Sequence, residues 1–286
     1  MRILIIHNHY QQYGGEDTVF FREVTMLRDF GHQVFLYERT NTELPPNWFG
    51  FILAFFTSLW SWKSYREVKK IIIEKKPDVV HIHNWIYLIS PSVFIICKKL
   101  KIPVVTTLHN PRLMCPSATF LRDGKLCQDC KGKKIPWPAF IHKCHHNSRI
   151  KTIFITGIVF YYNLFEKWKK SVNTFIVTTN TFSDIFGSTN VLAGQHIEIK
   201  PHFVYPDPEE RDNSKVNDQA IFIGRFDPEK GVLSLIEAWK NIKNCSLLLR
   251  GRGRLEVEIE QFCLNNQITN ITIVKNHLKE TELSEM

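Results

Sequence analysis

Arg225 and Lys230 bracket a turn in the segment AIFIGRFDPEKGVLSLIEAWK, residues 220–240, and the chemistry open to such a pair is anion binding. Ile221, Phe222 and Ile223 read as a buried strand, Gly224 permits a tight turn, and Val232, Leu235, Ile236 and Trp239 recur at helical spacing. A helix starting near Gly231 would present free N–H groups and the positive end of its dipole beside two cations, which suits a phosphate. Taken alone, the same two side chains also read as solvated loop charges.

Other constellations stand elsewhere in the chain. Gly14 and Gly15 follow an apolar run and precede a helix that Glu16 opens, so a backbone could approach a ligand there, although paired glycines more often mark only a turn. His81, His83 and Asn84 close DVVHIHN, and His109 and Asn110 close VVTTLHN. Alternation puts His81 and His83 on one side of their strand, where polar groups need partners or a cleft; for His81 a bracing hydrogen bond is the preferred reading. Cys115, Cys127, Cys130 and Cys144 follow the pattern C-x11-C-x2-C-x13-C, with His142, His145 and His146 crowding the last. A C-x2-C knuckle in a cytosolic chain points to metal or redox chemistry, and four thiolates suit a structural zinc. The second pair lacks the tight spacing of a zinc ribbon, and packed reduced thiols or a redox-labile pair are the alternatives. Cys97, Cys245 and Cys263 fall in predicted helices or strands and read as core residues. Gly251 and Gly253 lie in RGRGRL, just past the apolar run SLLLRG.

The elements that must position these residues alternate between strand and helix. Strands are expected at 2–6, 34–38, 78–83, 104–109 and 174–179, and helices at 19–30, 65–75, 92–100 and 150–170. That order predicts an α/β domain with a parallel sheet covered on both faces, with ligand residues at the carboxyl ends of its strands. The first domain is expected over 1–200, with a Cys-rich insertion at 111–149, and a second over 201–286 with strands at 220–224, 246–250 and 271–274.

These motifs resemble glycosyltransferase family 4, the group 1 glycosyltransferases. HFVYPD and GRFDPEKGVLSLIEAW are similar to the start of that family's C-terminal domain; MRILIIHNHYQQYGGEDTVF, PDVVHIHNWIYLISPS, IPVVTTLHNPRLMCP and CPSATFLRDGKLCQDC resemble a Cys-containing bacterial branch of it. The resemblance implies the GT-B architecture, two Rossmann-like units facing one cleft. It implies a retaining transfer of a sugar from a nucleotide sugar to a glycan or lipid-linked acceptor in cell-surface polysaccharide synthesis, with no divalent metal needed for the transfer. Under it Arg225 and Lys230 hold the donor diphosphate, and the Gly14–Gly15 loop faces the donor phosphates and the acceptor. His109 orients the reacting sugar and donates to a sugar hydroxyl, Glu16, His83, Asn84 and Asn110 serve acceptor or support roles, and Gly251 and Gly253 form the loop beside the nucleotide. Arg252 and Arg254 stand where many members carry an acidic residue and a proline, which leaves the base open. Family members continue with a Glu-x7-Glu pair gripping the donor, whereas this sequence stops at LKETELSEM; Glu280 and Glu282, in an expected helix start, are not that pair. The second domain is therefore expected to be incomplete. A truncated fragment or acceptor-binding subunit is one alternative function, and another GT-B reaction on a phosphosugar, such as epimerisation, is a second.

Composition agrees with two globular domains: 286 residues, 44% hydrophobic and 23% charged. A net charge of +9 suits an anionic partner, nucleotide diphosphate or membrane phosphate. The basic residues are scattered and no zinc-finger, homeodomain or RNP pattern occurs, so nucleic acid is not expected. MRILII has no cleavage site and reads as a strand, which places the chain in the cytoplasm. The run WFGFILAFFTSLW at 48–60 is shorter than the roughly 20 residues that span a bilayer. Its aromatics precede Lys63, Arg66, Lys69 and Lys70, so two readings stand: a buried helix, or an interfacial segment on an anionic membrane.

Overall fold

A computed structural model describes residues 1–11, 14–207 and 218–275. The chain divides into two compact units, Met1–Arg122 with Leu126–Asp207, and Asp123–Lys125 with Pro208–Met286. In the first unit β1 (Arg2–His9), α1 (Gly15–Asp29) and β2 (Gln33–Thr40) form the opening βαβ turn. α2 (Trp48–Leu59), α3 (Trp62–Lys75), β3 (Val79–Ile82), α4 (Ser92–Lys99) and β4 (Val104–Leu108) follow. The Cys-rich insertion holds a hairpin, β5 (Leu121–Arg122) with β6 (Lys125–Leu126), and a short helix, α5 (Trp137–Ile141). α6 (Arg149–Leu164), β7 (Thr174–Val177), α7 (Asn180–Gly187) and β8 (Ile197–Ile199) complete the unit. The predicted helix over 150–170 thus ends at Leu164, and a separate 3-10 turn spans Lys169–Ser171.

The sheet runs β2-β1-β3-β4-β7-β8 and every pairing is parallel. Its two faces are sorted by period-two alternation. On β1, Leu4 and Ile6 enter the large core beneath α3, α4 and α6, while Ile3 and Ile5 pack with Phe20 and Val24 of α1. The chain reverses direction across the sheet at β1 and β3, the place where open α/β sheets form a crevice at their carboxyl ends.

α2 resolves the two readings of the aromatic run in an unexpected way. It buries its small residues, Gly50, Ala54 and Ser58, and leaves Trp48 and Phe56 74% and 62% exposed. A Cβ on Gly50 would stand 1.9 Å from the Pro45 carbonyl oxygen, so only glycine permits this approach. Phe51 and Phe55 turn inward onto Phe154 of α6. The segment is therefore a packed helix whose aromatic face remains uncovered. Among the described residues no helix is long and apolar enough to cross a membrane.

The described part of the second unit has β9 (Gln219–Ile223), α8 (Val232–Trp239), β10 (Ser246–Arg250), α9 (Glu256–Asn265) and β11 (Ile271–Val274). Its three strands pair in parallel in the order β11-β10-β9. Phe226, Val232, Ile236, Leu247, Leu249, Leu255 and Ile259 form the core. The expectation that β9 is buried is corrected: Ile221 and Ile223 are 43% and 45% exposed, because the core lies on the opposite side of the strand and β9 is the sheet's edge. Glu280 and Glu282, and the helix start expected around them, lie outside the described residues.

Candidate active site

Alternation that sends Ile3 and Ile5 toward α1 sends His7 and His9 the same way, and on β3 it does so for His81 and His83. Asp17, Phe20 and Glu23, three residues apart, share the α1 face that meets them. Two carboxylates are thereby buried against four histidines.

Asp17 Oδ1 accepts from His7 Nε2 at 3.0 Å and from His9 Nδ1 at 2.8 Å, and Asp17 Oδ2 accepts from the Gly14 amide at 2.9 Å. Burial opposes its charge, but these bonds from His7, His9 and Gly14 hold it well below the usual carboxylate range. The other ring nitrogen of His9 donates to Glu38 at 2.9 Å. Burial works against protonation of His9, yet its bonds to Asp17 and Glu38 raise its pKa to about 9. His7, stacked on Phe20, is held neutral chiefly by burial.

Glu23 pairs with His81 Nδ1 at 2.8 Å and with Lys200 Nζ at 2.7 Å. Burial would raise its pKa, but His81 and Lys200 bring it down to about 2. His81 Nε2 reaches Thr107 Oγ1 at 2.8 Å. His81 is thus braced on both nitrogens. Its ring lies tilted beside that of His83, centroids 4.2 Å apart, and the two face different oxygens of Glu23.

His83 Nδ1 and His109 Nε2 lie 3.1 Å apart, and His83 Nε2 stands 3.8 Å from Glu23 Oε2. Burial and neighbouring histidines lower both: His83 falls well below its ordinary value, and His109 to about 3. Both rings are neutral, so each carries one N–H. The ionised Glu23 favours the proton of His83 on Nε2, which makes His83 Nδ1 an acceptor, His109 Nε2 the donor and His109 Nδ1 a lone pair. That Nδ1, like His83 Nε2, has no hydrogen-bond partner among the described residues, so Glu23 acts on His83 by charge across 3.8 Å and not by a hydrogen bond. The His202 ring lies nearly parallel to that of His109, 5.7 Å between centroids.

Glu16, His83, Asn84, His109 and Asn110, predicted from separate motifs, line one small cleft that opens to solvent. Tyr10, Thr107 and Arg112 line it too. The Asn110 amide donates to Glu16, and the Arg112 amide donates to Asn110 Oδ1 at 3.0 Å. Burial raises the pKa of Glu16. Asn84 Nδ2 donates to the Asn8 carbonyl at 2.7 Å, which ties β3 to β1. Gly14 caps α1 and Gly15 is its first residue; a Cβ on Gly15 would meet nothing within 4 Å, so packing does not require glycine there.

In the second unit Arg225 is already engaged, with Nη2 2.8 Å from Glu229 Oε1 and Nε 3.4 Å from Asp227 Oδ2. Arg254 pairs with the same acids, 3.1 Å from Asp227 Oδ1 and 3.6 Å from Glu229 Oε2. Lys230 ends a 3-10 turn, Pro228–Lys230, and Gly231 at φ +68° leads into α8 at Val232. The reason for glycine at 251 and 253 is steric. A Cβ on Gly251 would lie 1.9 Å from the Gly224 carbonyl oxygen, and one on Gly253 2.5 Å from that of Phe226. These glycines bring the loop after β10 onto the Arg225 turn, where Phe226 N–H donates to Arg252 at 2.9 Å and Leu255 N–H to Phe226 at 2.9 Å.

Sequence reasoning missed His7, His9, Asp17, Glu23, Lys200 and the acids Asp227 and Glu229. The parity of His7 and His9 with Ile3 and Ile5 was the available signal for the first four. Lys200 and the Arg225–Glu229 spacing carried none beyond charge.

The family model for Glycosyltransferase Family 4 matches residues 13–207, more than half of the chain. The chain belongs to Glycosyltransferase Family 4. Solved structures agree in fold across both units. WaaG, a glycosyltransferase involved in lipopolysaccharide biosynthesis, is 16% identical with a TM-score of 0.55, covering 99% of this chain and 71% of that one. HepE of Anabaena, bound to UDP, is 12% identical with a TM-score of 0.52, covering 99% and 71%. The lipopolysaccharide outer core galactosyltransferase WaaB is 10% identical with a TM-score of 0.50, covering 100% and 71%. The fold is the GT-B α/β fold of these enzymes. No curated protein matches the chain in sequence.

The titrations fix a pH profile. Stability from neutral His109 is complete above its unfolded value of 6.5 and is lost as pH falls toward about 3; that from Glu23 is complete above 4.5 and is lost toward about 2. Stability from His9 has the opposite sign, complete below 6.5 and lost as pH rises through about 9. Thermal unfolding between about pH 4 and about pH 10 should show Tm falling on both sides of neutrality, and His9→Gln should flatten only the alkaline limb. An alkaline limb unchanged in that variant would refute the His9 assignment.

Proposed function

We propose that this family 4 chain transfers a sugar with retention of configuration from a nucleotide sugar to a glycan or lipid-linked acceptor, as in cell-surface polysaccharide synthesis. The observation that carries the reading is the convergence of Glu16, His83, Asn84, His109 and Asn110 on one cavity at the carboxyl ends of β1, β3 and β4. The acceptor and the donor sugar are read by this set. His109 takes the central part, and the tautomer argued above alters its expected role: Nδ1 accepts a hydrogen bond from a sugar hydroxyl instead of donating one. A neutral ring also avoids holding the leaving diphosphate as a counter-ion.

The diphosphate is assigned to Arg225 and Lys230 of the second unit. In front-face transfer the leaving oxygen takes up negative charge while the acceptor proton moves toward it, and fixed cations stabilise that charge without covalent chemistry. Solved relatives bound to UDP, HepE of Anabaena and LpCGTa, make uridine diphosphate the first nucleotide to test. Because Glu229 and Asp227 already hold Arg225, a nucleotide must compete with them, and Glu229 acts as a brake on binding.

α2 supports a second part of the reading, peripheral docking on the inner face of a cell membrane. Trp48, Phe49, Phe56 and Trp62 are 74%, 55%, 62% and 60% exposed, with Lys63 and Lys70 on the adjoining helix also exposed. Exposed aromatics beside cations suit an anionic bilayer, and a lipid-linked acceptor would be met there.

Calorimetric titration with UDP and GDP should show binding that Arg225→Ala and Lys230→Ala each weaken about tenfold or more, as expected for loss of a charge-assisted hydrogen bond. Glu229→Gln should bind more tightly than the parent. Binding unaffected by all three variants would refute the diphosphate assignment. In sedimentation with phosphatidylglycerol-rich vesicles, the parent should partition to the pellet and a Trp48→Ser, Phe49→Ser, Phe56→Ser variant should remain in solution. Equal partitioning of the two would refute docking through α2.

A further inference from the structure

The insertion at 111–149 has almost no regular structure to hold it. Beyond the two-residue strands β5 and β6 and five-residue α5 it consists of turns, and Ala118, Phe120, Asp123, Lys143, His146 and Asn147 all have positive φ. Non-glycine residues in that region persist only where surroundings over-determine them. The apolar residues that tie the insertion to the core are few: Leu113, Met114, Cys115 and Phe120 join the main cluster. A segment with so little regular structure is one that a cross-link or a metal would stabilise.

Its four cysteines supply the donors. Cys115 lies in the turn after Pro111, Cys127 follows β6, Cys130 is three residues further, and Cys144 follows α5. Although drawn from positions 29 residues apart at the extremes (144 − 115), all four line one small cavity, closed by Phe120, Pro138 and Ala139. No disulfide joins them. His142, His145 and His146 do not line that cavity; Asp129 does, but its carboxylate is held by Arg122 at 2.7 Å, which leaves the four thiols as the donor set. Among the described residues, donor sets drawn within 4.8 Å are His7–His9–Asp17 and Glu23–His81–His83. Those atoms are already paired with one another in hydrogen bonds and ion pairs. The cysteines stand around open space at wider separation, so an ion there would draw them inward.

We infer that Cys115, Cys127, Cys130 and Cys144 bind a single zinc ion that staples the insertion to the first unit. Four thiolates about 2.3 Å from a tetrahedral ion satisfy zinc without redox chemistry, each cysteine losing its thiol proton to solvent as it binds. The staple also serves the cavity of the candidate active site. Arg112 lies three residues before Cys115, and the Cys115 amide donates to the Pro111 carbonyl at 2.8 Å, so fixing Cys115 fixes the turn that brings Arg112 and Leu113 to that cavity wall. Retention of zinc does not depend on the transferase reading.

Purified under reducing conditions, the full chain should carry about one zinc by plasma mass spectrometry. Cobalt exchanged for it should give the intense visible bands and near-ultraviolet thiolate charge transfer of a tetrahedral tetrathiolate site. Cys130→Ser should lose the metal or shift the cobalt spectrum toward three sulfurs, whereas Cys97→Ser and Cys245→Ser should keep both. If Cys130→Ser does not fold, limited proteolysis of the parent with a chelator provides the second readout: cleavage should appear within 115–148 and be suppressed by added zinc. A metal-free chain with no cobalt spectrum would overturn the inference, as would a Cys127–Cys130 disulfide in the purified protein or an unchanged cobalt spectrum when Cys130 is replaced.

Discussion

Asp17 and Glu23 are buried under the inner face of α1, and everything at the carboxyl edge of the first sheet is arranged around their charge. Taking a carboxylate out of water costs several kcal/mol, and the cost is met only where donors satisfy its oxygens. Asp17 is satisfied by two histidines of β1 and the Gly14 amide, Glu23 by His81 of β3 and Lys200 from beyond β8. These partners come from four places in the sequence, so the pairs hold only when β1, β3, α1 and the segment after β8 have docked in register. Removing either acid would leave a partly exposed cation and buried imidazole groups unmatched, and removing a histidine would strand the acid. The network therefore fixes the positions of strand ends that an apolar core alone would leave free to shift.

The same charges decide chemistry at a distance. Glu23 does not line the cavity, yet its charge 3.8 Å from His83 Nε2 favours the tautomer in which His109 Nε2 donates to His83 Nδ1. Burial keeps both rings neutral, so the arrangement gives a hydrogen-bond acceptor oriented by the Nε2 contact with His83 and the nearly parallel ring of His202. Glu16 and Asn110 reach the same cavity by a different route, a side-chain bond between the start of α1 and the end of β4.

Much of this was legible in the sequence, and the reasons for what was not are specific. Strand and helix alternation gave the sheet, since each strand from Arg2–His9 to Thr174–Val177 is an apolar run bounded by turn residues. β8, with the three residues Ile197–Ile199, and α7 were too short for periodicity to register. The residues that line the cavity were found because they close strands, a position that favours ligands whatever the family. Their buried partners were not found, because an acid on an amphipathic helix reads as solvent-facing until the parity of the opposing strand is counted. β9 failed in the opposite way: its apolar residues suggested burial on both sides, but as an edge strand it buries only one. Gly251 and Gly253 were expected to admit a nucleotide, and their observed necessity is the close contact of two loop backbones, a requirement that no residue count reveals.

The central claim is that burial keeps His109 neutral and that Glu23, through His83, favours its proton on Nε2. Nitrogen-15 imidazole NMR of the intact protein at neutral pH addresses it directly, with His109→Gln for assignment. The account predicts a neutral His109 whose Nε2 is protonated and whose Nδ1 is bare, with that tautomer preference lost in Glu23→Gln. A charged His109, or a proton residing on its Nδ1 in the parent protein, would contradict it.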